Sequence, residues 1–245
     1  TLNLNGNHVG GLAFVDGELY AASAQPGSGA WVYRVPLRFG EAPMQTPGGE
    51  RVFNIVFRQT TQACSSCGIW FDWQGQQANK PRLEVEFMAD GQNQTRTYQH
   101  GDSSNGEALG VTIDPGGAAV PHQLLVKQSR SSHGLFQADI SDIPADAQVV
   151  QARLHLHIHT DEGLANSDNS SVLVVHENTS EWDGASVSWT QSASGAPWGT
   201  NGGDFGTLVR EIRAKEDLHD QGFSKANPNV PLDFTAFVQD LVARQ

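Results

Sequence analysis

Residues 149–160 constrain the fold more than any other stretch. Leu154, Leu156 and Ile158 alternate with Arg153, His155, His157 and His159. Side chains two apart on a strand share a face, so this period of two predicts a half-buried β-strand whose polar side is a ladder of imidazoles. Just ahead, Pro144 fixes φ while Asp142 and Asp146 suit turn positions, which predicts a turn feeding that strand.

Other stretches repeat the pattern. Val172, Leu173, Val174 and Val175 are apolar on both faces, as in a strand inside a sandwich. Residues 51–59 set Phe53, Ile55 and Phe57 against Val52, Asn54, Val56 and Arg58, and residues 81–87 turn Leu83, Val85 and Phe87 inward. Shorter strands are expected at 108–113, 124–127, 187–190 and 208–214, and a hairpin at 11–20 turns on Asp16-Gly17. The one helical spacing is Phe234, Phe237, Val238, Leu241 and Val242, with Asp233 as N-cap. The expected fold class is an all-β antiparallel β-sandwich with a short C-terminal helix.

The order of motifs in 124–243 carries a resemblance. Phe136, Asp139, Ser141, Ile143, Pro144, Ala152, Leu154 and Leu156 are followed by Glu181-Trp182, Val187, Trp189 and Trp198, then by Gly202-Gly203-Asp204 and by Asp233, Thr235 and Val238. This series resembles the DNRLRE family, jelly-roll domains related to carbohydrate-binding modules on secreted and cell-surface proteins of bacteria and archaea. The resemblance implies a jelly roll and a surface or binding role, and does not by itself imply catalysis. Segments 53–59 and 80–87 look like the family's closing strands, yet they precede its opening.

The domain reading follows from that order. Residues 1–91 read as a β-rich segment, the polar, glycine-rich 92–106 as a linker, and 107–245 as the DNRLRE-like domain. Three arrangements are open: two sandwiches in tandem, one circularly permuted sandwich completed by 51–87, or strands inserted into a neighbouring copy, which would propagate as a filament. The absence of a signal-like segment ahead of Thr1 reads as a processed chain.

Charge narrows the partners. A net charge of −12 over 245 residues argues against nucleic acid, whose phosphates need Lys and Arg. Membrane insertion is not expected, since no apolar run approaches the roughly 20 residues of a span. The expected partners are a polysaccharide or copies of the chain itself, in an extracellular or cell-surface setting. The two cysteines, Cys64 and Cys67, are expected as a local disulfide across one turn.

Three groups of residues suggest chemistry. His155, His157 and His159 stand about 6.5–7 Å apart along one face, so two of them could share a transition metal with His176, His133, Asp161 or Glu162. Asp161, Glu162 and Asp168 form an oxygen-rich loop of the kind that holds calcium, although the spacing is not that of an EF-hand. Trp31, Tyr33, Trp70 and Trp73 lie outside the family pattern and are the candidates to stack on sugar rings. The alternative for all three is structural: solvent-facing imidazoles, a solvated acidic loop and core aromatics. No GxSxG, HExxH or phosphate-loop motif occurs, and no catalytic residue is expected.

Overall fold

The computed structural model describes residues 9–15, 18–25, 29–35, 51–61, 69–72, 77–100, 106, 108–116, 119–121, 123–126, 131–157, 171–223 and 227–244. The chain divides into two compact units, Thr1–Gly48 and Gly49–Gln245. The first holds an antiparallel meander of β1 (Val9–Val15), β2 (Glu18–Gln25) and β3 (Gly29–Val35). Val15 pairs with Glu18, the register expected of a two-residue hairpin at this place.

The second unit carries β4 (Val52–Thr61), β5 (Ile69–Asp72), β6 (Arg82–Ala89), β7 (Gln92–Gln99), β8 (Ala108–Ile113), β9 (Val120–Pro121) and β10 (Gln123–Val126). It continues through β11 (His133–Asp139), β12 (Gln148–His157), β13 (Val172–Asn178), β14 (Gln191–Ala193), β15 (Ala196–Pro197), β16 (Phe205–Arg213) and β17 (Asn229–Asp233), and closes with α1 (Thr235–Ala243). Six strands form one sheet in the order β16-β13-β4-β11-β8-β9, and four form another in the order β17-β12-β6-β7. Within both, every pairing is antiparallel.

The sheets are held face to face by one apolar core. The six-stranded sheet contributes Phe53, Ile55, Phe57, Phe136, Leu173, Val175 and Ile212; the four-stranded sheet contributes Leu83, Val85, Phe87, Leu154, Leu156, Val230 and Leu232. The period of two in β4, β6 and β12 produces this directly, because alternate residues meet across the gap. Helix α1 adds Phe234, Phe237, Val238, Leu241 and Val242. The β5–β10 ribbon adds Phe71 and Leu124. The all-β sandwich with a C-terminal helix is therefore as expected. Among the described residues, no helix is long and apolar enough to cross a membrane.

Several local expectations are corrected. Much of the stretch read as a linker is β7, hydrogen-bonded to β6 through a tight turn in which Asp90 and Gly91 both have positive φ (52° and 73°). The chain then returns to Gly106, whose backbone bonds Thr97 and Gln99 at 3.0 Å. β4 and β6, the strands that look like the family's closing pair, sit inside sheets made by their own chain, β4 between β13 and β11 and β6 between β12 and β7. Residues 187–190 form no strand: Val187 N–H donates to Asp183 O at 2.8 Å and Ser188 N–H to Gln191 O at 2.9 Å, so their bonds close turns. Phe234, not Asp233, is the N-cap position, and Asp233 instead accepts from the Thr235 N–H at 2.9 Å and hydroxyl at 2.6 Å.

Candidate functional site

The sandwich has two outer faces, and they differ in kind. On the six-stranded sheet the outward residues of β4, β8 and β11 (Val56, Val111, Ile113 and Leu135) are apolar and buried. Residues 179–204 fold over them as a cover, adding Trp182, Val187 and Trp198 to this second core, with Trp189 and Phe205 packed against it. Polar ties fix the cover. Asn54, buried on β4, donates through Nδ2 to Ser180 O at 2.9 Å and accepts from Trp182 Nε1 at 3.0 Å. Gln137 Nε2 donates to Trp182 O at 2.9 Å. Asp204 turns its carboxylate back, accepting from Thr200 N–H at 2.7 Å and from the Ser180 hydroxyl at 2.5 Å.

Gly202 and Gly203 end the cover with φ of 87° and 121°, a region open chiefly to glycine. A Cβ on Gly202 would stand 2.7 Å from both His133 Nδ1 and the Trp189 ring. Gly202→Ala is therefore expected to lower stability by about 1–3 kcal/mol through strain and overpacking. Urea denaturation of the two proteins side by side checks this; an unchanged midpoint contradicts the close fit.

The outward face of the four-stranded sheet is polar, and Asn79, just ahead of β6, reaches over its His157 end. β12 places Gln151, Arg153, His155 and His157 there; register sets Glu86, Glu84 and Arg82 of β6 opposite the first three, and Thr95, Thr97 and Gln99 of β7 beyond them. On the other side, β17 sets Asp233, Pro231 and Asn229 opposite Arg153, His155 and His157. Guanidinium, carboxylate, imidazole, amide and hydroxyl groups thus alternate over a grid spaced about 4.8 Å across strands and about 6.6 Å along them.

Two rungs of the imidazole ladder lie on this grid. His155 Nε2 is buried, stands 3.7 Å from Glu84 Oε1 and has no hydrogen-bond partner. Burial, followed by the positive field of Arg82, lowers its pKa and outweighs the opposing pull of Glu84, so the ring is neutral at neutral pH. His157 approaches Asn79 Nδ2 at 3.4 Å and Asn229 Oδ1 at 3.3 Å. Among the described residues, no three His, Cys, Asp or Glu side chains converge as metal ligands do.

His176 does not join the ladder. It lies on β13 in the other sheet, opposite Val56, with the sandwich core between it and His155; its Nδ1–H donates to Gly206 O at 3.2 Å. β12 and β13 are consecutive strands assigned to opposite sheets, and the sequence carries no mark of that division. His133 is likewise on the six-stranded sheet and buried; its Nδ1–H donates to the Gly202 carbonyl at 2.8 Å. Sequence reasoning named it only as a spare ligand, because the loop that meets it is 69 residues away.

The remaining site residues divide by where they fall. Trp31 and Tyr33 occupy alternate positions of β3, opposite Ser23 and Ala21. Trp70 is on β5, opposite Leu125. Trp73, Cys64, Cys67, His159, Asp161, Glu162 and Asp168 lie outside the described residues. No family model, curated protein or solved structure matches this chain.

Proposed function

We propose that this protein is a non-catalytic binding module of the cell exterior whose ligand is an uncharged, hydroxyl-rich polymer, a polysaccharide. The observation that carries the reading is the grid on the four-stranded sheet. Donors and acceptors lie side by side there, and the positive Arg82 and Arg153 are interleaved with the negative Glu84 and Glu86. Such a surface matches a ligand that offers many hydroxyls and no net charge, since an anionic or cationic polymer would meet like charge at every second row. His155 adds a neutral ring to this face, beside Glu84. The pattern resembling the DNRLRE family supports an external location and a jelly-roll relationship. Trp31 and Tyr33 in the first unit, and Trp70 and Trp73 in the second, are separate candidates to stack on a sugar ring.

Binding to an array of neutral polysaccharides tests the proposal. The expected result is retention on at least one of them, weakened about tenfold or more by Glu84→Ala and by Arg153→Ala, each residue standing for one to two hydrogen bonds to a ligand. Far-UV spectra and melting of the variants should match the parent, because both side chains are outside the core. Silence on every polysaccharide, or equal retention by the parent and both variants, overturns it.

A further inference from the structure

We propose that His133 is an acid-operated latch on the cover: protonation of its imidazole releases the Gly202 end of residues 179–204 from the six-stranded sheet while the main core stays closed. The geometry places one titratable group at the point where the cover is fastened. His133 leaves the first position of β11 with its side chain on the outer face, 7% exposed. Its Nδ1–H is bonded to the Gly202 carbonyl. Its ring is held between Trp189, at 4.8 Å, and Phe205, at 5.6 Å.

The surroundings suit only the neutral ring. The charge that acts on His133 is that of Arg58 on β4, whose guanidinium carbon lies 4.9 Å above the Phe205 ring and whose Nε is buried with no hydrogen-bond partner. From β13, His176 touches the same Phe205 ring at 5.7 Å. β8 brings Ile113 opposite His133 in register, and the cover brings Gly202 and Trp189. A second positive charge here would meet Arg58 and apolar surface, and only the Gly202 carbonyl would favour it. Burial is accordingly the main cause of a pKa held down to about 4, against 6.5 for a free imidazole.

The direction of the effect follows. An open cover returns His133 to water and to its ordinary pKa, so the open form takes up the proton first. The closed form keeps its full advantage above about pH 6.5 and loses it as the pH falls towards 4. Across that window the opening equilibrium rises about tenfold per pH unit, to a total of about 300-fold. The first core is built of separate residues, and the other imidazole that burial holds neutral, His155, lies on the four-stranded sheet and not under the cover.

The inference stands apart from the glycan reading and is tested on the full chain without ligand. Acrylamide quenching of tryptophan fluorescence, read from pH 7 to pH 4, reports all six tryptophans, three of which (Trp182, Trp189 and Trp198) belong to the cover, so the part of the change that His133→Asn abolishes reports the cover; far-UV circular dichroism reports the sheets. The expected result is rising quenching with an unchanged sheet signal, and a flat profile in His133→Asn, whose amide N–H can still reach the Gly202 carbonyl but does not titrate. Identical acid profiles in parent and variant overturn the latch, as does loss of both signals at one midpoint. Should His133→Asn fail to fold, the titration of the His133 imidazole in the parent, followed by NMR, decides: a midpoint near 4 supports the latch, and a midpoint in the ordinary histidine range overturns it.

Discussion

Replacing Phe53 by alanine is expected to cost about 3–5 kcal/mol, the largest loss foreseen for any single core position. Phe53 is fully buried on β4 and meets three other rings edge-on: Phe136 at 6.0 Å, Phe234 at 5.5 Å and Phe237 at 5.4 Å. The truncation removes apolar contact and leaves a void between β4, β11 and α1 that close-packed neighbours fill only in part. Because Phe234 and Phe237 flank the start of α1, the helix should loosen first. Equilibrium denaturation gives the magnitude, and amide exchange of residues 235–243 gives the order. A loss below about 1 kcal/mol, within the range of surface substitutions and mild core swaps, shows that Phe53 does not anchor the helix.

Asn54→Ala is expected to be nearly as damaging, at about 2–4 kcal/mol, for a different reason. One residue along β4, on the opposite face, Asn54 serves both the Ser180 carbonyl and the Trp182 indole N–H. Its removal leaves a donor and an acceptor stranded under the cover. Trp182→Phe should cost less, since it strands only the Asn54 Oδ1 acceptor and keeps both the Asn54 bond to Ser180 O and Gln137's bond to the backbone at residue 182. Melting of the two variants against the parent ranks them. If Trp182→Phe is the more harmful, the cover is held mainly by apolar contact and not by the amide.

The two substitutions also mark what was legible beforehand. β4, β6 and β12 show in the sequence because each sets large apolar side chains against polar ones with period two, and that pattern alone decides which way they face. β7 does not show. Its residues are almost all polar, with Tyr98 the large side chain it buries, so it reads as a connection; the clue was the Asp90-Gly91 pair, which favours the left-handed turn seen there. Residues 187–190 failed in the other direction. Val187 and Trp189 alternate as in a strand, but Asp183 accepts from the Ala185 N–H at 3.0 Å and the Ser186 hydroxyl at 2.7 Å, and this local bonding draws the backbone into turns. For the candidate site, the facing of His155 and His157 was readable from alternation. The assignment of His176 and His133 to the other sheet was not, because it depends on which strands cross between layers.

β4 lies at the centre of the larger sheet and serves both cores, one with Phe53, Ile55 and Phe57 and the other with Val56. Its partners are Gly134–Asp139 on one side and Val172–Glu177 on the other. As the chain is made from its N-terminus, β4 emerges before both of its partners and stays unpaired until they have followed it. Pairings so distant along the chain fold slowly and leave strand edges open in the meantime. Newly made chains therefore pass through a long interval in which an apolar strand, the run from Val52 to Phe57, is uncovered.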